Sequence, residues 1–276
     1  MSVRIGMCDW SFPITGIGGI RFASELGIKS YQLTLGPRAR GYPLSDPNLQ
    51  KKYLECGEKY EVDFVSINAD DLMSFPLSYP SGSYENDEAR KFVKLCIDTA
   101  SNMGIDTVMT SNVRKGIIKT QEDLLNTVDS LQDICDYAAP LGIRITNENY
   151  LDSSGNLLLA DMVSRDNFTV FYDSQNPSCF ADYDTAQMVL DLKDHILKLG
   201  QVHVKDGYKN RPGSVSLGEG DSNFYKSMEN LKNIGFHGDI LIENFYTESK
   251  FSMNNFDDIF GLVSKDINTL KQIFNI

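Results

Sequence analysis

The chain has 276 residues, 41% hydrophobic and 23% charged, the balance of a globular protein with a sizeable core, and the length suits one closed α/β barrel occupying residues 1–276 as a single domain. Twenty-six Lys and Arg face 38 Asp and Glu, giving a formal net charge of −12 with no basic tract, so the counter-charge that a nucleic-acid backbone demands is missing and that class of partner is not expected. The opening MSVRIGMCDW shows no basic stretch followed by an apolar run, and no segment approaches the roughly 18 consecutive apolar residues that span a bilayer, so a soluble, cytoplasmic protein without a membrane partner is expected.

Along the chain, short β-branched runs alternate with longer amphipathic ones. Strands are predicted at Val3–Cys8, Ser30–Thr34, Val62–Asn68, Thr107–Ser111, Arg144–Asn149, Phe168–Asp173, Gln201–Lys205 and Asp239–Asn244. Helical patterns fall at Phe22–Leu26, Asn48–Lys59, Glu88–Met103, Thr120–Ala139, Tyr183–Lys198, Asn223–Ile234 and Asn255–Phe274. Apolar runs such as FVSIN suit strands covered by helices on one side and filled on the other. Four helices run into the next strand through a similar step, LGIKS, MGIDT, LGIRI and IGFHG, where glycine supplies a left-handed cap. Eight strand–helix units predict a (β/α)₈ TIM barrel; an open doubly wound sheet uses the same units.

In a barrel the strand C-termini carry the chemistry. Strand five ends RITNENY and places Glu148 there; strand six ends TVFYDSQNP and places Asp173; strand seven reads QVHVKDG, with His203 and Lys205 on one face; strand eight reads DILIENFY and places Glu243. Steps of 25, 30 and 40 residues separate Glu148, Asp173, His203 and Glu243, about one barrel unit each. Two Glu, one Asp and one His make an oxygen-rich site with one imidazole, suited first to Mn²⁺ and also to Mg²⁺, Co²⁺ or Zn²⁺. Taken singly, each has a plainer role: Asp173 can cap the turn through SQNP, and His203 between two valines can be a core histidine.

Other features are plainer. His195 belongs to a helical pattern facing solvent, and His237 to the turn before strand eight. GIGGI (Gly16–Ile20) has the wrong spacing for a dinucleotide fingerprint and is expected as a flexible loop entering helix one. LGEGDSNF is expected as a glycine turn in which Asp221 or Ser222 caps the seventh helix, bordering the substrate. Cys8, Cys56, Cys96, Cys135 and Cys179, odd in number and without CxxC spacing, predict mostly buried free thiols.

These residues resemble the sugar phosphate isomerase/epimerase family of xylose-isomerase-like barrels, which includes ketose 3-epimerases. The resemblance spans nearly the whole chain and is most specific in ITNENY, FYDSQNP, VHVKDG with LGEGD, and FHGDILIEN. It implies that Glu148, Asp173, His203 and Glu243 hold a metal, and that the two glutamates exchange protons with a small carbohydrate on opposite faces. Many members carry a histidine three residues after the strand-six aspartate; here Asn176 stands there and alters the hydrogen bond offered to a substrate hydroxyl. Strand two often ends in glutamate where this chain has Gln32.

Chemically, a cation ligated by adjacent carbonyl and hydroxyl oxygens stabilises an enediolate, so that one glutamate can remove the neighbouring carbon-bound proton and the other return one. Lys205 and Arg211 are candidates to hold a substrate phosphate or hydroxyl. Trp10 and Phe12 can wall the sugar carbons or pack the core. An aldose–ketose isomerase, or a dehydratase of a keto-cyclitol or hydroxy acid, shares the first step. A barrel endonuclease acting on abasic DNA needs more histidines and a basic groove, and a carbohydrate-binding barrel without catalysis needs no intact ligand set. A dimer or tetramer is expected.

Overall fold

The alternation of β-branched and amphipathic runs appears in a computed structural model that describes residues 2–247, 251 and 258–276. In chain order these are β1 (Arg4–Cys8), α1 (Ile17–Glu25), β2 (Ser30–Thr34), α2 (Pro47–Tyr60), β3 (Asp63–Asn68), α3 (Tyr84–Met103), β4 (Thr107–Asn112), α4 (Gln121–Ala138), β5 (Arg144–Asn149), α5 (Ser153–Val163), β6 (Phe168–Val170) and β7 (Tyr172–Asp173). There follow α6 (Asn176–Ala181), α7 (Thr185–Asp191), α8 (Lys193–Leu199), β8 (Gln201–Val204), β9 (Asp206–Tyr208), β10 (Arg211–Val215), α9 (Phe224–Asn233), β11 (Asp239–Ile242) and α10 (Ile259–Phe274). Apart from the antiparallel β9–β10 hairpin, the strands alternate with helices in the (β/α)₈ barrel topology, its sixth strand interrupted at Phe171 into β6 and β7. Among the described residues no helix is long and apolar enough to cross a membrane.

The chain divides into two compact units. The first takes residues 1–32, 56–63 and 172–276, and its parallel strands run in the order β2, β1, β11, β8, β7. Register there places Gly6 beside both Ser30 and Leu241, His203 beside Leu241, and Asp173 beside His203. A Cβ on Gly6 would sit 2.3 Å from Ser30 Oγ and 2.8 Å from the Ser30 carbonyl oxygen, so only glycine fits between those strands. Met7, Ile20, Leu231, Ile240, Ile242, Val263 and Leu270 form fully buried core here.

The second unit takes residues 33–55 and 64–171, with strand order β3, β4, β5, β6. Its core includes Ile67, Val93, Ile97, Val108, Leu131, Ile134, Ile145 and Leu159. Helix starts carry the expected caps: Ser83 accepts from the Asn86 N–H, Asp152 from Gly155, and Thr120 forms a capping box with Asp123.

All four glycine steps read from the sequence adopt left-handed backbone, with φ of 85° at Gly27, 70° at Gly104 and Gly142, and 74° at Gly235. Several boundaries differ. GIGGI is no loop: Ile17 opens α1, and Gly19 is buried where a Cβ would strike the Ile14 carbonyl oxygen. The pattern at Tyr183–Lys198 breaks into α7 and α8 at Leu192. Neither Asp221 nor Ser222 caps α9; its N-cap is Asn223 in left-handed conformation without a side-chain cap bond, and the Ser222 hydroxyl turns instead to Asp206 at 2.7 Å. The proposed start of the last helix at Asn255 lies outside the described residues, and α10 is described from Ile259.

Candidate metal centre

Period-two alternation decides where β8 aims its side chains. Val202 and Val204 take one face, and His203 with the following Lys205 takes the other; all four are buried. Asp173 ends β7 directly beside His203, and Glu243 follows β11, its N–H bonded to the Val204 carbonyl at 2.9 Å. Ligand atoms of Asp173, His203 and Glu243 lie within 4.8 Å of one another.

Each group is held from behind. Asp173 Oδ1 accepts the backbone N–H of Gln175 at 2.8 Å and of Asn176 at 2.6 Å, so the turn-capping role open to it from the sequence is real and occupies one oxygen. The other, Oδ2, is buried and accepts no hydrogen bond among the described residues; it faces the Lys205 ammonium at 2.8 Å and His203 Nδ1 at 3.9 Å. His203 Nδ1 stands 3.4 Å from Glu243 Oε2, while Nε2 on the far side of the ring meets Gln32 Oε1 at 2.6 Å. Glu243 Oε2 also receives Lys205 Nζ, and Glu243 Oε1 accepts the Trp10 indole N–H at 3.0 Å. Burial pushes the Glu243 carboxyl up, but the Lys205 ammonium, and after it the neighbouring His203 ring, outweigh it and hold that carboxyl well below the usual carboxylate range. It is ionised at neutral pH.

A second carboxylate shapes the loop bordering this cluster. Asp206, next to Lys205, accepts the N–H groups of Gly218 and Gly220 through Oδ2, both at 2.9 Å, and those of Gly207 and the Ser222 hydroxyl through Oδ1. Its own N–H goes to Asn244 Oδ1 at 3.1 Å. Asn244 donates in turn to Asp266 on α10, which also accepts from Leu217 N–H and the Tyr246 hydroxyl. Asp206 and Asp266 were not among the residues expected from the sequence to serve the site. The Asp in VKDG, immediately after Lys205, was the available signal; nothing in the amphipathic pattern of α10 marks Asp266.

Glu148 lies in the other unit, buried on β5. On that strand Asn147 donates to Thr110 Oγ1 and Asn112 Oδ1, and Asn149 donates to Asn156 on α5. Asn112 in turn reaches Thr127 on α4 at 3.2 Å. The two asparagines therefore face the helices, and alternation sends Glu148 to the opposite face of the strand.

The remaining candidates separate. Trp10 joins the cluster through its N–H and packs edge-on to the His203 ring at 6.0 Å. Phe12 is core, 1% exposed, between Tyr31 and Phe260. Asn176 is buried at the first turn of α6, its backbone bound by Asp173. Arg211 stands exposed at the start of β10, outside the buried cluster. His237 is exposed and His195 half-buried. All five cysteines are free thiols, four of them buried.

Strand order, parallel register and the ends of β7, β8 and β11 together define the class, and residues 20–269 match the family model of the xylose isomerase-like TIM barrel. The chain belongs to that family. Over 220 residues it is 27% identical to the uncharacterised protein MJ1311 of Methanocaldococcus jannaschii, covering 73% of this chain and 70% of that one. Among solved structures it is similar to a D-psicose 3-epimerase of Clostridium cellulolyticum, with a TM-score of 0.77 at 14% identity over 98% of this chain and 99% of that chain. A 3-keto-D-glucoside 4-epimerase of E. coli gives a TM-score of 0.73 at 13% identity over 98% and 100% of the two chains.

Proposed function

We propose that this chain is a metal-dependent sugar isomerase or epimerase, in which Glu148 and Glu243 move protons at the carbon beside a carbonyl. The carrying observation is the buried convergence of Asp173 Oδ2, the Nδ1 edge of His203 and Glu243 Oε2, two carboxylates gathered around the single ammonium of Lys205. One ammonium shared between two buried carboxylates leaves negative charge that a divalent cation would meet. Two carboxylates and an imidazole fit a hard divalent ion, Mn²⁺ first and Mg²⁺, Co²⁺ or Zn²⁺ after it. Glu148 is assigned as fourth ligand because its carboxylate leaves β5 on the face opposite the Asn147 and Asn149 network.

A divalent ion held by Glu148, Asp173, His203 and Glu243 supplies Lewis-acid stabilisation of the negative charge that grows on substrate oxygens as the proton leaves. The chain's own groups do the rest. Glu243, kept ionised beside Lys205, takes a proton from carbon or returns one, and Trp10 fixes the oxygen facing it. Glu148 performs the complementary transfer, and return from the opposite side inverts the centre. Lys205 and Asn176 orient substrate hydroxyls, Trp10 covers the carbon face, and Arg211 on its exposed hairpin meets the far end of the sugar. The neighbours named as sugar epimerases support this reaction class.

The test is exchange of the substrate's α-proton with deuterated solvent across a panel of ketoses and cyclitols, followed by NMR of the products. Glu148→Gln and Glu243→Gln are expected to fold and lose exchange. Full exchange in either variant removes that residue from its role, and an unsaturated product with loss of water turns the assignment to a dehydratase.

A further inference from the structure

Gln32 lies within β2 with no exposure, and its Oε1 lies 2.6 Å from His203 Nε2. The same oxygen accepts the Cys8 thiol at 3.5 Å, and Cys8 Sγ is 3.5 Å from His203 Nε2. Cys8, Gln32 and His203 thus form a closed, fully buried triangle on β1, β2 and β8. A thiol paired with the amide oxygen turns that oxygen, not the amide nitrogen, toward the ring. An amide oxygen can only accept, so the ring nitrogen facing it must carry hydrogen.

We propose that Gln32 is a positioning residue that sets the tautomer of His203. The proton sits on Nε2, and the Nδ1 lone pair is presented to the side where Asp173 Oδ2 and Glu243 Oε2 converge. The inference rests on the proposed metal site for its purpose, though not for its geometry. A neutral amide accomplishes this without adding a further charge beside the carboxylates of Asp173 and Glu243. Fixing the outer nitrogen of a ligating histidine is worth roughly tenfold to a hundredfold in metal affinity.

Two readouts test it. The chain has three histidines, so ring-¹⁵N spectra are assigned with His195→Gln and His237→Gln. Metal-free wild type at alkaline pH is expected to show His203 protonated on Nε2, and Gln32→Leu, which keeps bulk but no acceptor, to show a mixed ring or one protonated on Nδ1. In parallel, Mn²⁺ titration by calorimetry is expected to weaken by about tenfold or more in Gln32→Leu and to stay within a few-fold of wild type in Gln32→Glu, which restores the acceptor. A wild-type ring protonated on Nδ1, or a Gln32→Leu protein with unchanged tautomer and unchanged Mn²⁺ affinity, overturns the proposal. Wild type that binds no Mn²⁺ sinks the metal reading instead, while the ring spectrum still decides the role of Gln32.

Discussion

At the scale of single residues, the cluster works by dividing labour between the two oxygens of each carboxylate. Asp173 gives one oxygen to the turn behind it and turns the other toward Lys205 and His203. Glu243 gives Oε1 to Trp10 and turns Oε2 toward Lys205 and His203. A hydrogen bond to a charged acceptor contributes about 1.5–3 kcal/mol. Trp10→Phe, which keeps an aromatic edge against His203, is therefore expected to fold normally and slow α-proton exchange by roughly tenfold or more, measured by NMR in deuterated buffer. An unchanged rate would show that the indole N–H does not orient the base. Packing sets the opposite kind of demand at Gly6. With Ser30 backbone 2.8 Å from the position of a Cβ, Gly6→Ala must push β1 and β2 apart, and a loss of about 3 kcal/mol or more is expected in urea unfolding.

Elements are joined here by buried carboxylates as well as by apolar packing. Asp206 gathers two glycine N–H groups and a serine hydroxyl of the 216–222 loop; Asp206→Asn retains one acceptor and is expected to cost about 2 kcal/mol or more and to open that loop to limited proteolysis. Asp266 ties α10 to Leu217, Asn244 and Tyr246. Burial, against the pull of those donors, pushes its carboxyl up to about 6 from an ordinary 3.8. The folded state then holds a proton that the unfolded chain has released, so this contribution is full below about pH 4 and is lost as pH rises through about 6. Over those two units it amounts to about 3 kcal/mol. The stability difference between wild type and Asp266→Asn should therefore shrink by that order from pH 4 to pH 7. A difference that stays flat would mean that the donors keep Asp266 ionised throughout. Neither link was visible beforehand, for a physical reason. Strand ends announce themselves by polarity after an apolar run, as at Asp173 and Glu243, and a helix stop by glycine. An anchoring carboxylate on a helix or after a lysine looks like any solvated charge until the backbone N–H groups it serves are placed around it. The hairpin β9–β10 pairs near neighbours, Tyr208 with Arg211 and Asp206 with Val215, and escaped because its Gly, Asn and Pro content reads as loop.

For the molecule as a whole, the barrel topology was legible because strand–helix units repeat with glycine steps between them, and the candidate ligand residues stood out because they recur one unit apart. The direction of each side chain and its partners behind the cluster were not. A chain of net charge −12 that draws carboxylates together is stabilised by anything that binds them in the folded state. At a hundredfold excess over its dissociation constant, a bound cation adds about 2.7 kcal/mol, so chelation with EDTA is expected to lower the melting temperature by roughly 5–10 °C, and Mn²⁺ to restore it. No shift on chelation of freshly purified, metal-analysed protein would contradict a resident ion.

The alternation along β5 has a practical corollary. Asn147 and Asn149 are committed to the helix side, whereas Thr146 and Glu148 point the other way. On that strand position 146 is the one to vary, Glu148 being the proposed proton carrier, and the neighbours at 147 and 149 act as a built-in control. Libraries at 146 should alter turnover while expression holds, and libraries at 147 and 149 should yield insoluble protein before they yield new chemistry.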